Sequence, residues 1–212
     1  MIKYYITDIS KLSDPVLNLS SMADLSNERQ KKCLKYIQAD DRKRCLGAGK
    51  IIKKILEDFE VKSEITYGYN GKPECEDIYF NVSHSGNYVI GVAGDVSVGC
   101  DIEYIVEAPI EVANYYFHSS EIDFIQKSNN KSKAFWKLWT LKESYMKMTG
   151  EGVSLSLNSF NVEIGNKIIV YRNGVKQNCT FKHLWLGEHS VAICVNNNDE
   201  IFDENIVWTD VI

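Results

Sequence analysis

The order of the elements that this sequence predicts constrains the fold most, because one plan occurs twice along the chain. A short strand, Ile2–Ile6, precedes two helical segments, and a β-rich stretch follows them. Helical patterns then return and are followed by strands again. This repeated order predicts an α+β fold of two similar α/β subdomains, residues 1–104 and 105–212, with a site at their interface.

Start and turn signals set the predicted bounds in the first half. Ser26-Asn27-Glu28 is typical of a helix start, and the pattern predicts a helix to about Gln38 and a second one from about Asp40 to about Phe59. Asn70-Gly71 predicts a turn. The predicted strands are Ile65–Tyr67, Ile78–Val82, Tyr88–Ala93 and Val98–Glu103.

In the second half, helical patterns predict a segment from Ile110 to about Gln126 and a helix from Lys133 to Met148. Asn173-Gly174 predicts a turn, and the polar stretch Asn196–Asn205 predicts a loop or loose tail. The predicted strands are Phe160–Ile164, Ile168–Tyr171, Phe181–Leu186 and Val191–Val195.

Charge is spread unevenly along the chain. The formal net charge is −5, which disfavours general nucleic-acid binding, yet residues 28–54 hold ten basic and three acidic side chains. That stretch predicts either two helices with solvated lysine faces or a docking surface for a polyanionic small molecule.

The six cysteines form no C-x-x-C pair, and the four histidines are not spaced to complete a zinc site, so we expect reduced and mostly buried thiols. The start of the chain lacks the features of a signal peptide, and no apolar run is long enough to cross a bilayer. We therefore expect a cytoplasmic protein.

Two carboxylates alternate along the strand Val98–Glu103. Residues two apart on a strand point the same way, so Asp101 and Glu103 project from one face while Cys100 and Ile102 enter the core. Neighbouring carboxylates repel unless a cation lies between them or one takes a proton, and Mg²⁺ prefers such oxygen ligands. The alternative is a half-exposed strand with polar residues facing outward.

The segment 135–147 predicts a helix with two apolar faces. Leu138, Leu141, Tyr145 and Met148 share one side, which indicates a helix buried between layers. The opposite side carries Trp136, Trp139, Glu143 and Lys147. Glu143 could pair with Lys147 one turn later, shielded by the tryptophans, or it could bind a metal.

His84 follows the strand Ile78–Val82 and is flanked by Ser83, Ser85 and Gly86. Small residues and backbone N–H groups beside an imidazole predict a phosphate cradle, whereas the ordinary interpretation is a polar surface residue near a turn.

Taken together, these segments resemble the ordered signature of the surfactin-type 4′-phosphopantetheinyl transferases, and the resemblance covers about residues 26 to 165. The G-K-P turn of that family resembles Gly71-Lys72-Pro73, and its basic N-terminal helices resemble the stretch that contains Cys33 and Arg44. The other similar segments are Asn81–Gly86, Gly99–Glu103, Trp139–Lys147 and Gly150–Leu155.

The resemblance implies two similar α/β subdomains and transfer of 4′-phosphopantetheine from coenzyme A to a serine of an apo acyl or peptidyl carrier protein. It implies Mg²⁺ as cofactor, held by Asp101, Glu103 and Glu143, and it implies that Lys147 lies near the pyrophosphate. We expect Glu143 and Lys147 to be catalytic: Glu143 would take the serine proton directly or through a metal-bound water, and Lys147 would stabilise or protonate the leaving phosphate. The implied coenzyme A contacts are Arg29, Lys32, Arg44, Cys45, Lys72, Ser83, His84 and Lys147. Cys45 departs from the pattern, because some members have a hydroxyl there.

Two other functions share parts of this pattern. A magnesium-dependent phosphohydrolase would use water as nucleophile, and a non-catalytic homologue would bind coenzyme A or a carrier without turnover. The second is disfavoured because the three carboxylates and Lys147 are all present. We expect a monomer without nucleic-acid or membrane partners. Tyr115, Tyr116, Phe117 and Phe124 are either core or a carrier-docking surface.

Overall fold

The computed structural model describes residues 2–68, 72–197 and 207–208, and it confirms the α+β class. The predicted turn at Asn70-Gly71 and most of the stretch 196–205 lie outside these residues. The helices are α1 (Asn27–Lys35), α2 (Ala39–Asp58), α3 (Ile110–Tyr116), α4 (Ser119–Lys127) and α5 (Lys131–Thr149).

The strands of the described residues form four sheets. The largest has the order β12-β1-β5-β4, the second has the order β10-β11-β6, and two small sheets are β2-β3 and β7-β8-β9. Their bounds are β1 (Lys3–Asp8), β2 (Thr66–Tyr67), β3 (Pro73–Glu74), β4 (Tyr79–Ser85), β5 (Tyr88–Gly94), β6 (Val98–Tyr104), β7 (Phe160–Ile164), β8 (Ile168–Arg172), β9 (Val175–Lys176), β10 (Thr180–Leu186), β11 (His189–Val195) and β12 (Val207–Trp208).

Three apolar clusters define the layers. Helix α2 packs on one face of the β1-β5-β4 sheet around Tyr5, Ile51 and Phe80. The other face of that sheet meets the β10-β11-β6 sheet around Cys100 and Ile193. Helix α5 covers the far face of the second sheet with side chains such as Leu138, Leu141 and Tyr145. The alternation of residues along each strand produces this layering, since neighbours point to opposite faces.

Strand β6 joins the two halves of the chain. It pairs antiparallel with β11, so that Asp101 lies opposite Ala192 and Glu103 lies opposite Ser190. The side chains of Ser83 and Ser85 on β4 reach β6 from the other side. The division at residues 104 and 105 stays a prediction, and β6 is the strand through which the two parts meet.

The structure refines two predicted helical regions. Helix α1 ends at Lys35 instead of Gln38, because Tyr36 adopts an extended conformation with ψ of 137°. The helical region predicted over 110–126 is present as two helices: α3 ends at Tyr116 and α4 starts at Ser119. A capping box starts α4, in which the His118 side chain accepts from Ser120 N and the Glu121 carboxylate accepts from His118 N.

The remaining expectations concern cysteines and membrane spans. All six cysteines lie in the described part of the chain, all are free thiols, and five are buried. No described helix is long and apolar enough to cross a membrane.

Candidate functional site

Strands β4 and β6 bring two serine–carboxylate pairs together. Ser83 Oγ donates to Asp101 Oδ1 at 2.9 Å, and Ser85 Oγ donates to Glu103 Oε2 at 3.0 Å. Asp101 is only 3% exposed, whereas Glu103 is half-buried. Cys100 and Ile102 lie in the core on the opposite face. The alternation predicted for this strand is therefore present.

Helix α5 lies directly against the carboxylate face of β6. Gly99 permits this approach, because a Cβ at that position would overlap Ser144 O and Met148 N of the helix. The close packing places Lys147 Nζ 2.6 Å from Asp101 Oδ1 and 3.1 Å from Ser83 Oγ. The side chain of Lys147 is 28% exposed, so this ion pair remains open to solvent.

The pairing of Glu143 with Lys147 that we considered from sequence does not form in the described residues, since Lys147 turns to Asp101 instead. Glu143 is half-buried and has no hydrogen-bond or ion-pair partner among them. Burial raises the pKa of Glu143, and the charge of Asp101 raises it further. Its carboxylate is therefore a proton acceptor without a competing partner.

Asp101, Glu103 and Glu143 lie close enough for their charges to raise the pKa of a neighbouring carboxyl group. Burial, followed by the charge of Asp101 and a smaller effect of Glu143, raises the pKa of Glu103 to about 7. Burial opposes the charged form of Lys147, yet the charge and hydrogen bond of Asp101 outweigh it and raise the pKa of that ammonium. The region thus holds more negative than positive charge.

The donor chemistry of this region fits a hard divalent cation. Asp101 Oδ2 is buried and has no hydrogen-bond partner, so a strong acceptor is left without a partner. Two further carboxylates with raised pKa lie close by. Among the described residues, however, no three His, Cys, Asp or Glu side chains already form a metal cluster. Lys147 is the counter-charge that the structure shows.

Arg44 and the imidazole of His84 lie near Lys147. Arg44 Nη1 donates to Gly86 O at 3.0 Å, and its Nη2 pairs with Asp41 at 2.7 Å. Burial lowers the pKa of His84, and the charges of Arg44 and Lys147 lower it further. The lowered pKa favours the neutral form of His84, so Arg44 and Lys147 are the cations of this part of the site.

Strand β4 is longer than predicted. It continues through Ser83 and His84 to Ser85, and His84 lies opposite Val89 of β5. The tight turn comes one residue later than expected, at Gly86, which has φ of +54°. The phosphate cradle around His84 stays a prediction.

Lys72 lies below the carboxylates and not among them. Its Nζ donates to Lys147 O at 2.7 Å and to Val98 O at 3.4 Å, and burial lowers its pKa. In this arrangement, Lys72 satisfies a carbonyl near the end of α5. Its predicted contact with coenzyme A remains untested.

Arg29, Lys32 and Cys45 form a second group on α1 and α2. Cys45 is buried in one cluster with Cys33 and Leu46. A hydrogen bond with Cys33 and the charge of Arg29 lower the pKa of Cys45 to about 6, although burial opposes this. A thiol beside two cations fits an electropositive surface, so the predicted phosphate contact here stays a prediction.

Sequence reasoning missed two features of the site. Ser85 binds Glu103, and a longer predicted strand would have placed it on the face of Ser83. The second feature is a buried pair between Glu121 and Lys142, whose two side chains are fully buried.

Comparison with known proteins relates the chain to one family. Residues 97–194 match the model of the 4'-phosphopantetheinyl transferase superfamily. The chain is 32% identical over 166 residues to the 4'-phosphopantetheinyl transferase gsp of Aneurinibacillus migulanus, a match that covers 74% of this chain and 70% of that protein. It is 32% identical over 152 residues to the 4'-phosphopantetheinyl transferase Sfp of Bacillus subtilis (strain 168), covering 68% of each. A holo-[acyl-carrier-protein] synthase structure from Thermotoga maritima has 19% identity and a TM-score of 0.43, and the match covers 49% of this chain and 64% of that one.

Proposed function

The chain belongs to the Sfp-type 4′-phosphopantetheinyl transferases, and on that premise we propose how its site transfers 4′-phosphopantetheine from coenzyme A to a serine of an apo carrier protein. The other product is adenosine 3′,5′-bisphosphate. The observation that carries the proposal is the meeting of Asp101, Glu103, Glu143 and Lys147 where α5 packs on β6.

Mg²⁺ is the cofactor that we propose for this site, with Asp101, Glu103 and Glu143 as its ligands. The partnerless Oδ2 of Asp101 and the raised pKa values of Glu103 and Glu143 support the assignment. When bound, the cation would offset the charge of the coenzyme A pyrophosphate and of the transferred phosphorus. For the cation to bind, Lys147 would have to release the carboxylate of Asp101.

The basic side chains position coenzyme A. The charges of Lys147 and Arg44 both act on His84, and we assign these three side chains to the pyrophosphate. Ser83 holds Asp101 and Lys147 in place through its hydroxyl and is a further phosphate contact. Lys72 and the group of Arg29, Lys32 and Cys45 complete the proposed coenzyme A contacts.

Glu143 is the proposed general base. Its pKa is raised by burial and it has no hydrogen-bond partner among the described residues, so it can accept the proton of the carrier serine. The serine oxygen then forms a bond to the β-phosphorus, while the bond from that phosphorus to the bridging oxygen breaks. Lys147 stabilises the charge on the departing adenosine 3′,5′-bisphosphate.

Intact mass spectrometry of an apo carrier with coenzyme A and Mg²⁺ tests this function. The carrier should gain the mass of one phosphopantetheine group, and the gain should vanish with Asp101→Ala and fall about 100-fold or more in rate with Glu143→Gln. Glu163→Gln, at an exposed position of β7, is the control and should retain full activity. Breakdown of coenzyme A without modification of the carrier would instead indicate a phosphohydrolase.

The finer expectations remain proposals. We propose a monomer that acts in the cytoplasm without nucleic-acid or membrane partners. A panel of apo acyl and peptidyl carriers would identify the preferred partner, and light scattering would determine the oligomeric state.

A further inference from the structure

A buried ion pair connects three elements next to the site. Lys142 Nζ on α5 donates to Glu121 Oε1 at 2.7 Å and to Oε2 at 2.9 Å, and it also donates to Phe160 O on β7 at 2.9 Å. The carboxylate of Glu121 also accepts from Val162 N at 2.7 Å and from His118 N at 2.8 Å. Every polar atom of the pair therefore has partners on α4, α5 or β7.

Burial of the two charged groups has a large desolvation cost in free energy. Both side chains are 0% exposed, and the Lys142 ammonium lies 4.2 Å from the ring centroid of Phe160 and 5.5 Å from that of Phe117. Burial lowers the pKa of Lys142, although Glu121 opposes the shift. Two apolar side chains of similar volume would avoid the desolvation cost of the charges, but they would leave His118 N, Val162 N and Phe160 O without these partners. The directional hydrogen bonds, and not packing alone, therefore account for the charged pair.

The pair fixes the rotation of α5 about its axis. Lys142 is held on the side of the helix that faces α4 and β7, and the next residue, Glu143, is displaced by about 100° around the axis. Lys147 lies five residues further along the same rigid helix and reaches Asp101. A change in the rotation of α5 would move both side chains relative to the carboxylates of β6.

We propose that Glu121 and Lys142 are positioning residues, which hold α5 in the rotation that places Glu143 and Lys147 over Asp101 and Glu103. The inference rests on the proposed function, because that function gives Glu143 and Lys147 their roles. The hydrogen bonds of a buried charge are directional, so they hold the helix in one rotation where an apolar contact allows several.

An apolar double variant separates positioning from stability. We expect Glu121→Leu and Lys142→Met each to lower the thermal midpoint, since each leaves one buried charge unpaired. The double variant should regain only part of this loss, because His118 N, Val162 N and Phe160 O still lack their side-chain partners. If the pair positions α5, the double variant still has a kcat about 10- to 100-fold below wild type, with the KM for coenzyme A within about twofold. Wild-type kcat in the refolded double variant would overturn the proposal.

Val170→Ala is the matched control, because it removes methyl groups from the same core on β8 without touching the pair. It should lower the thermal midpoint and leave kcat unchanged. A crystal structure of the double variant gives a readout independent of turnover: Lys147 Nζ should no longer lie 2.6 Å from Asp101 Oδ1. An unchanged contact would refute positioning, whereas an inactive wild type would refute only the proposed function.

Discussion

Gly99 illustrates how a single residue positions this site. It lies two residues before Asp101 on the same face of β6, and its missing side chain lets the α5 backbone lie against that strand. The sequence identified Asp101 and Glu103 on one face because strand alternation is a local rule. It did not identify the role of Gly99, because the close approach depends on a helix that lies more than forty residues further along the chain.

We predict that Gly99→Ala destabilises the protein and reduces transfer. The added Cβ would overlap Ser144 O and Met148 N, and backbone atoms cannot rotate away, so we expect a loss of about 3 kcal/mol in the free energy of unfolding. The measurement is urea denaturation together with the transfer assay.

Gly165→Ala is the control for this substitution, since the nearest atom to its new Cβ would be Lys167 O at 3.8 Å. That variant should match wild type in both measurements. Equal behaviour of the two alanine variants would mean that α5 does not depend on close contact at Gly99.

Local signals predicted most individual elements of this chain. Helix α5 was expected from its apolar period, and it ends where Gly150 adopts φ of +77°. The helical patterns of residues 110–126 did not locate the boundary between α3 and α4, because histidine, the N-cap residue of α4, is not a typical N-cap residue. The extension of β4 was missed because serine and histidine are weak strand formers, and pairing with β5 outweighs that preference.

A chain of hydrogen bonds connects β10, β11 and α5. His183 Nε2 on β10 lies 3.0 Å from Ser190 Oγ on β11, which lies 2.9 Å from Thr140 Oγ1 on α5. Burial, together with the charge of Lys137, lowers the pKa of His183 from 6.5 to about 4. Between these values the unfolded chain binds a proton that the folded chain does not, so stability falls as the pH falls from 6.5 towards 4.

We predict that His183→Gln reduces this pH dependence. Between pH 8 and pH 5, His183 should lower the free energy of unfolding of the wild type by roughly 2 kcal/mol. The variant lacks this titration, so its free energy of unfolding should fall by roughly 2 kcal/mol less over the same range. Urea denaturation at both pH values measures the difference. If the free energy of unfolding falls equally in wild type and variant, protonation of His183 is not linked to unfolding.

At the scale of the whole molecule, the sequence indicated a repeated plan but not how the parts meet. The pairing of β6 with β11 is set by packing between distant segments, as is the approach of β4 to β6. The resemblance therefore located the carboxylates, whereas the pairing of Lys147 with Asp101 and the position of Lys72 required the folded structure.

The same architecture places repelling charges at the contact between α5 and β6. Glu103 in the folded chain keeps its proton up to about pH 7, compared with an ordinary value of 4.5. Because the folded state binds this proton more tightly than the unfolded state, the protein without a cation loses stability as the pH rises from about 4.5 to about 7. A cation bound to the ionised carboxylates would reverse that loss.

We therefore predict that Mg²⁺ or Mn²⁺ raises the thermal midpoint, and raises it more at pH 8 than at pH 6, where Glu103 holds a proton that the cation must displace. At 100 times the dissociation constant the gain in free energy of unfolding should be about 2.7 kcal/mol. Differential scanning calorimetry with and without the cation measures it. Asp101→Asn should abolish the gain and Glu163→Gln should retain it. An equal gain in both variants would mean that the cation binds outside the three carboxylates.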